Sequence, residues 1–546
     1  MSAEGPNIVL ITLDTTRADR VLGSDRAAKL APNLTAFAAE CRTFTAARSV
    51  GSLTLPSHAS MMTGLYPPRH GARANGPQVL PPAAFTLAER AAESGYRTAG
   101  FVGSLALDRA YGLGQGFDVW DQPSRADDRV TGEISERSGF EVAAAATRWL
   151  ANRAPDDDQP FFLWAHFFDA HAPYAPPAEY LERAGGDAYD GEIAALDAAF
   201  GSLLAGLRTA GELDDAVILI IGDHGESLGE HGEATHGLFV YDATLHVPFL
   251  LRDPHGDRAG RLDDALVSVV DVQPTLLEAM GLEPDPTADG VSLFRRAAPE
   301  NRLLYCESLE GWRLYGWSPL TGWIADDGKY LRSSEPEFYA LTDDPRELEN
   351  RWTVDFDDTV FELAFQQLAR RSVLPAAARA DLDAERRRQL EALGYTTSEH
   401  AAGDFPGPGA VDDGPSPAAS IAEAQAVEDA IAYFVRGRLD NAAERFAEIL
   451  ESNPQNRVAA ERLIEIRLAQ EDWTSALDLL RARAALPPET IAVHRDIARC
   501  LMALDREDEA QPHVRRTLEL FITHHERRGE LEEAARYRRI LADAPH

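Results

Sequence analysis

Residues 7–14 read NIVLITLD, a short, nearly continuous apolar run rich in β-branched residues that closes on a carboxylate. A run of this kind suits a strand covered on both faces, as in a parallel sheet enclosed by helices. Similar runs recur at Tyr96–Val102 (YRTAGFV), Pro160–Phe168 (PFFLWAHFF), Ala216–Ile221 (AVILII) and Val247–Leu251 (VPFLL). Helical patterns such as Leu34–Glu40, Leu87–Ser94, Glu141–Asn152 and Ile193–Thr209 fall between them. The alternation predicts an open α/β sheet with helices on both faces. Such sheets hold ligands at the carboxyl ends of their strands. Asp14 ends the first expected strand, Asp169 the third and Asp223-His224 the fourth, so side chains from distant segments are expected at one edge.

After about residue 300 the pattern changes to short strand-like pieces, LLYCES, TGWIADDGKYLR and EFYALTDDP. These predict a small antiparallel subdomain, followed by a helical arm from Asp357 to Leu393. Residues 400–420, dense in Gly, Pro, Ala and Asp, read as a linker. From Ile421 onward the chain is helical and repetitive. Ala442, Ala476 and Ala510 are 34 residues apart, as are Pro454 and Pro488. The A-x3-F…P pattern of Ala442, Phe446 and Pro454 resembles part of a tetratricopeptide repeat, with Ala476, Leu480 and Pro488 as a second copy. An unrelated helical bundle is the alternative reading. The expected divisions are a catalytic domain over 1–300, its subdomain and arm over 301–400, the linker over 401–420 and the repeat domain over 421–546.

A chain of 546 residues exceeds one ordinary hydrophobic core. Its formal net charge of −36 argues against nucleic acid or an anionic membrane surface as partner. Lysine is confined to Lys29 and Lys329, so recognition of an anion falls to Arg, His, backbone N–H groups or a metal. Three widely spaced cysteines, Cys41, Cys306 and Cys500, suit a reducing compartment and a structural role. The start MSAEGPNIVLITLD leads directly into the first strand without a signal-peptide pattern, and no window reaches the roughly 18 apolar residues of a membrane helix. A cytoplasmic protein is expected.

The chemistry concentrates in Ile220–Gly232, IIGDHGESLGEHG. A strand ending in Gly-Asp-His-Gly presents a carboxylate and an imidazole without bulky neighbours, two ligands for one divalent ion. Asp14 offers a third; helix capping is the alternative for all of them. In SLTLPSHASMMTGLYPPRHG, Ser52–Gly71, Pro56 predicts a short helix over Pro56–Thr63 closed by Gly64. Thr54 either caps that helix or reacts from it, in a place where free N–H groups favour negative charge. An ordinary alcohol is a poor nucleophile at neutral pH, and coordination to a metal would hold it as alkoxide.

These motifs together resemble the sulfatase family of the alkaline phosphatase superfamily. LITLDTTRAD, TLPSHASMMTGLYPPRHG, DAHAPY, GDHGESLGEHG, VSVVDVQPTLL and FYALTDDPRELEN occur in the family's order, from residue 7 to about 352. The resemblance implies an alkaline-phosphatase-like α/β/α sandwich and one divalent metal (Ca, Mn, Mg or Zn) at Asp14, Asp223 and His224. It sets Thr54 at the nucleophile position, where sulfatases carry the Cys or Ser that becomes formylglycine. His171 matches the stretch that supplies a His near the leaving group, Asn75 a polar contact to the substrate oxyanion, and His236 a sulfate-binding Lys. His58 replaces the Arg of C-x-P-S-R, making it a substrate-binding candidate. A second metal at Asp169, His171 and His236 is a further reading.

The departures shift the expected chemistry. Thr54 cannot become formylglycine by the usual oxidation, because its β-carbon already carries a methyl group. The expectation is therefore a metal-dependent hydrolase in which Thr54 attacks a phosphoester or phosphodiester and His171 or His236 protonates the leaving oxygen. Sulfate-ester hydrolysis, phosphoethanolamine- or phosphoglycerol-type transfer, and an inactive scaffold presenting the repeats stand as alternatives. Expected partners are a small anionic ester and, through the repeats, a protein or a second copy. His166, inside an apolar strand, reads as a satisfied core histidine. His231 reads as a surface residue, Arg17 and Arg69 as partners of nearby carboxylates, and Met61-Met62 as core packing.

Overall fold

The computed structural model describes residues 5–76, 78–123, 136–154, 158–375, 405–486, 489–527 and 530–543. Residues 376–393 of the expected helical arm, the start of the linker and Pro488 lie outside the described residues. The described residues form two compact units, one reaching to Leu309 and taking in Pro319 onward with Pro406–Asp412, the other made of Glu310–Ser318 and Asp413 onward.

The first unit holds an eight-stranded mixed sheet in the order β4-β3-β5-β1-β6-β7-β2-β8. The strands are β1 (Ile8–Leu13), β2 (Arg42–Arg48), β3 (Arg97–Val102), β4 (Val119–Asp121), β5 (Phe161–Phe167), β6 (Val217–Gly222), β7 (Phe249–Arg252) and β8 (Leu262–Ser268). Along β1 the side chains divide between the two faces: Ile8 and Leu10 join one core, Val9, Ile11 and Leu13 the other, all fully buried. β6 divides in the same way, with Leu219 and Ile221 on one face and Ile218 and Ile220 on the other. Burying each such side chain contributes about 1.5–3 kcal/mol. The double burial explains why these strands read as continuous apolar runs.

Two departures from the sequence reading concern the sheet. The edge side of the sheet adds β2 and β8, and β7 runs antiparallel to both β6 and β2, so the sheet is mixed. The 23-residue helix Ala188–Ala210 is also long and apolar enough to cross a membrane by composition. Here Ile193, Leu196, Phe200, Leu203 and Leu207, one helical face, pack into the core with β1 and β5.

β1 sits between β5 and β6 in parallel register, with Leu13 opposite both Phe167 and Gly222. Asp14, the Phe168–His171 segment and Asp223-His224 therefore leave the sheet at one edge. The second sheet is antiparallel, in the order β12-β11-β10-β9, with β9 Leu304–Ser308, β10 Leu320–Ile324, β11 Lys329–Arg332 and β12 Glu337–Tyr339.

The second unit is helical. Pro417–Val435, Leu439–Ser452, Arg457–Ala469, Trp473–Ala484, Ile491–Ala503, Glu507–Arg527 and Leu531–Asp543 each pack on the next. Ala442, Ala476 and Ala510 fall on alternate helices, and each is fully buried. Glu310–Ser318, between β9 and β10 in the chain, belongs to this unit. Asn453 Nδ2 donates to the Tyr315 carbonyl at 2.8 Å and Trp317 Nε1 to Glu423 at 3.1 Å. The three cysteines are unpaired and buried.

Candidate active site

The loop after β1 is tightly fixed. Thr15 has φ 46°, a left-handed conformation that a β-branched residue adopts only under constraint. Tyr189 supplies one constraint by donating to the Thr15 carbonyl at 2.7 Å, and the Thr15 N–H donates to Asp223 Oδ1 at 3.2 Å. The fourth expected strand, β6, delivers Asp223 and His224 through a turn that tolerates no side chains at its flanks. A Cβ on Gly225 would lie 2.4 Å from the Ala243 carbonyl oxygen, and one on Gly222 would lie 3.0 Å from Thr16 O.

Asp14, Asp223 and His224 are each fully buried and bring one ligand atom apiece within 4.8 Å of the others. His224 Nε2 lies 3.7 Å from Asp14 Oδ1 and 3.6 Å from Asp223 Oδ2. None of these three atoms has a hydrogen-bond partner, and Asp14 Oδ2 has none either. Two carboxylates and an imidazole with orphaned, converging atoms fit a divalent cation of the oxygen- and nitrogen-binding kind. Neither carboxylate caps a helix. Burial raises Asp14 to about 6, against the pull of His224 and His236, and burial beside Asp14 raises Asp223.

The helix expected in Ser52–Gly71 runs Thr54–Thr63, two residues earlier than its proline suggested. Pro56 lies inside the first turn, where no backbone N–H is required for the helix. Leu53 is the N-cap and no side chain caps the helix, so Thr54 is its first residue and not its cap. Thr54 is fully buried, and its carbonyl lies 2.8 Å from His58 Nδ1 one turn on. The same Nδ1 is 3.6 Å from Asp223 Oδ2, which ties this helix to the carboxylate cluster. Asn75 Oδ1 accepts the Leu55 N–H at 2.9 Å, leaving Asn75 Nδ2 without a partner. Burial pushes His58 down to about 3 against the pull of Asp223, so the ring is neutral.

His236 and His171 stand beside the cluster. The His236 ring centroid is 4.6 Å from that of His224 and 5.0 Å from that of His171. His236 Nδ1 is 3.0 Å from Glu226 Oε1, and Tyr174 donates to Glu226 Oε2 at 2.8 Å. Burial by itself disfavours the His236 cation, yet the Glu226 carboxylate overrides it and raises the ring to about 9. Burial and the positive His236 drive His171 the other way, well below the ordinary range. One imidazole is thus charged and its neighbour neutral.

Asp169 is turned away, accepting the Gly139 N–H at 2.6 Å at the start of the helix Gly139–Ala151. Arg17 pairs with Asp19 and Glu230, and Arg69 with Asp289. Met61 and Met62 are core. His231 stacks on Tyr241 with ring centroids 3.8 Å apart, so it is more than surface. Lys329 is fully buried between Asp242 and Glu347, each at 2.7 Å. Two residues escaped the sequence reading. Glu226 is fully buried within GDHGE, an unusual place for an acid. His166 is not a satisfied core histidine: its Nε2 lacks a partner and lies 3.4 Å from Asp14 Oδ2.

Fold and site together define a class, an α/β enzyme with a buried carboxylate–imidazole cage at the carboxyl edge of its sheet, linked through His58 to the helix that Thr54 begins. The sulfatase family model matches residues 6–282, and the chain belongs to the sulfatase family. With that family it is a hydrolase of ester bonds; family enzymes use a divalent ion, for which the Asp14–Asp223–His224 group is a possible site. An arylsulfatase of Clostridium perfringens is 23% identical, the match covering 63% of this chain and 90% of that one. An uncharacterised sulfatase of Escherichia coli is 24% identical over 63% of this chain and 82% of its own. Among solved structures, the phosphonate monoester hydrolase of Agrobacterium radiobacter shares the fold with TM-score 0.55 and 23% identity, covering 66% of this chain and 94% of that one.

Proposed function

We propose that this hydrolase acts on phosphoesters, phosphodiesters in particular, with Thr54 as the nucleophile. The observation that carries this is the place of Thr54, first residue of a helix whose next turn sets His58 against Asp223. Asp14, Asp223 and His224 would hold the divalent ion, which when bound supplies the positive charge that favours an alkoxide and offsets charge on the phosphoryl oxygens. Thr54 Oγ1, its proton given up to solvent, forms the bond to phosphorus as the bond to the leaving alkoxide breaks. The protonated His236, fixed by Glu226, gives that alkoxide its proton. Asn75 Nδ2, which has no partner, is the chain's own donor for the phosphoryl oxygens. Water, giving a proton to the now neutral His236, then attacks the threonyl phosphodiester and releases Thr54; an acceptor alcohol in its place would make the reaction a transfer.

Both lysines lie elsewhere: Lys29 is exposed and Lys329 is committed to two carboxylates. In this proposal the positive charge that faces the anion comes from His236 and the metal, with Asn75 Nδ2 as a neutral donor. A second reading, direct hydrolysis of sulfate esters, is favoured by relatives named as sulfatases. The test is turnover of an aryl sulfate, a phosphomonoester, a phosphodiester and a phosphonate monoester by wild type and Thr54→Ala with each metal. Phosphodiester turnover that falls at least about 10³-fold in Thr54→Ala supports the proposal; aryl sulfate as the best substrate of both proteins overturns it. Inertness on all four substrates, without bound metal, supports the scaffold reading.

We further read the helical unit as tetratricopeptide-like, on the 34-residue recurrence of Ala442, Ala476 and Ala510. Its use would be to dock a protein or a second copy, in the cytoplasm. Sedimentation of the full chain and cell fractionation test these two points.

A further inference from the structure

His166 sits on β5 opposite Thr12 of β1, with Nδ1 3.1 Å from Thr12 Oγ1; both residues are fully buried. Thr12 Oγ1 also accepts the indole N–H of Trp164, at 2.9 Å. An indole nitrogen only donates, so it occupies one lone pair of that hydroxyl. For the hydroxyl's own hydrogen, His166 Nδ1 is the acceptor in reach among the described residues. A neutral His166 that accepts at Nδ1 carries its proton on Nε2. That Nε2 lies 3.4 Å from Asp14 Oδ2, longer than a hydrogen bond, and neither atom has another partner. The opposite tautomer would turn a nitrogen lone pair on a buried carboxylate oxygen, a repulsive arrangement in a site without water to screen it.

We infer that His166 is a positioning residue for the metal cage: held by Thr12, it directs an N–H at Asp14 Oδ2 and so keeps Asp14 Oδ1 turned to His224. This rests on the reading of Asp14, Asp223 and His224 as metal ligands. Each oxygen of Asp14 then faces one imidazole, Oδ1 that of His224 at 3.7 Å and Oδ2 that of His166 at 3.4 Å. The chain from Trp164 through Thr12 to His166 points every donor the same way, toward the carboxylate. Donors behind a ligand fix its rotamer, and losing one typically weakens metal binding 10- to 100-fold.

The test uses the full chain, titrated with Mn²⁺ for affinity and with Co²⁺ for its visible spectrum, in wild type, His166→Phe, His166→Gln and Thr12→Val. The Gln amide can set an N–H near the position of His Nε2. The expected result is Mn²⁺ binding about 10- to 100-fold weaker in His166→Phe, restored to within about threefold in His166→Gln, with Co²⁺ bands unmoved in both. Thr12→Val, nearly isosteric, is expected between the two, and with His166→Gln it carries the test should His166→Phe not fold. Mn²⁺ binding by folded His166→Phe or by Thr12→Val at wild-type strength overturns the role. Weak binding by His166→Gln with shifted Co²⁺ bands overturns it in favour of direct ligation. Wild type that binds no divalent ion contradicts the metal reading itself, a separate outcome.

Discussion

Asp14 Oδ1 and His224 Nε2 lie 3.7 Å apart, fully buried, and neither has a hydrogen-bond partner. Two ligands each about 2.1 Å from one ion stand roughly 3.0–3.5 Å apart, so the spacing is close to what a cation would impose. In its absence, the arrangement sets burial of the Asp14 charge against folding.

That cost predicts a trade between stability and function. Asp14 is raised from 3.8 to about 6, which at neutral pH corresponds to about 3 kcal/mol lost to the metal-free fold. Asp14→Asn is expected to stabilise the metal-free protein by about 1–3 kcal/mol and to abolish the rise in Tm that metal gives wild type. Thermal melts with and without metal check this; a destabilised, still metal-responsive variant would contradict it.

Proton and metal compete for the same oxygens. A carboxyl raised to about 6 is ionised above that pH and protonated below it. Apparent metal affinity should therefore be nearly flat above pH 6 and fall about tenfold for each pH unit below, more steeply where Asp223 joins in. Titrations between pH 4.5 and 7.5 measure the slope; an affinity unchanged through pH 5 speaks against Asp14 as ligand.

The His236–Glu226 pair predicts a basic limb in the activity profile. His236 is raised to about 9, so its cation is present below that pH and lost above it. Glu226→Gln removes the carboxylate that overrides burial, the imidazolium loses its support, and the limb moves to lower pH. Activity at pH 8 is expected to fall about 10²-fold or more. The pH profile of kcat/KM decides; a limb left in place would show that His236 is not the proton donor.

Much of this architecture was legible in the residues, for physical reasons that also explain the gaps. β1, β5 and β6 are covered on both faces and announce themselves as apolar runs. β2 and β8, RTFTAAR and LDDALVS, lie toward the sheet edge and keep polar positions, so no such run marks them. The antiparallel sense of β7 depends on its neighbours and leaves no trace in VPFLL. Pro56 marked a helix start but not its first residue, because proline is tolerated through the first turn. His166 was hidden because one polar residue in FFLWAHF resembles an exception in a core strand. Its significance comes from Thr12 across the register, a relation that pairing alone reveals.

The helical unit allows a prediction independent of the site. Phe446 is fully buried on Leu439–Ser452. Phe446→Ala should cost about 3–5 kcal/mol through lost packing and the cavity left behind. Chemical denaturation of the full chain should show a transition moved to lower denaturant; an unmoved transition would mean that the residue packs less tightly than described.

The central claim is that Thr54 forms and breaks a bond to phosphorus. Metal-loaded enzyme, acid-quenched during turnover of a phosphodiester and digested, should yield the peptide containing Thr54 with the mass of the retained phosphoryl group. Thr54→Ala should yield no adduct and no turnover. Turnover of the phosphodiester by Thr54→Ala at the wild-type rate would contradict the account.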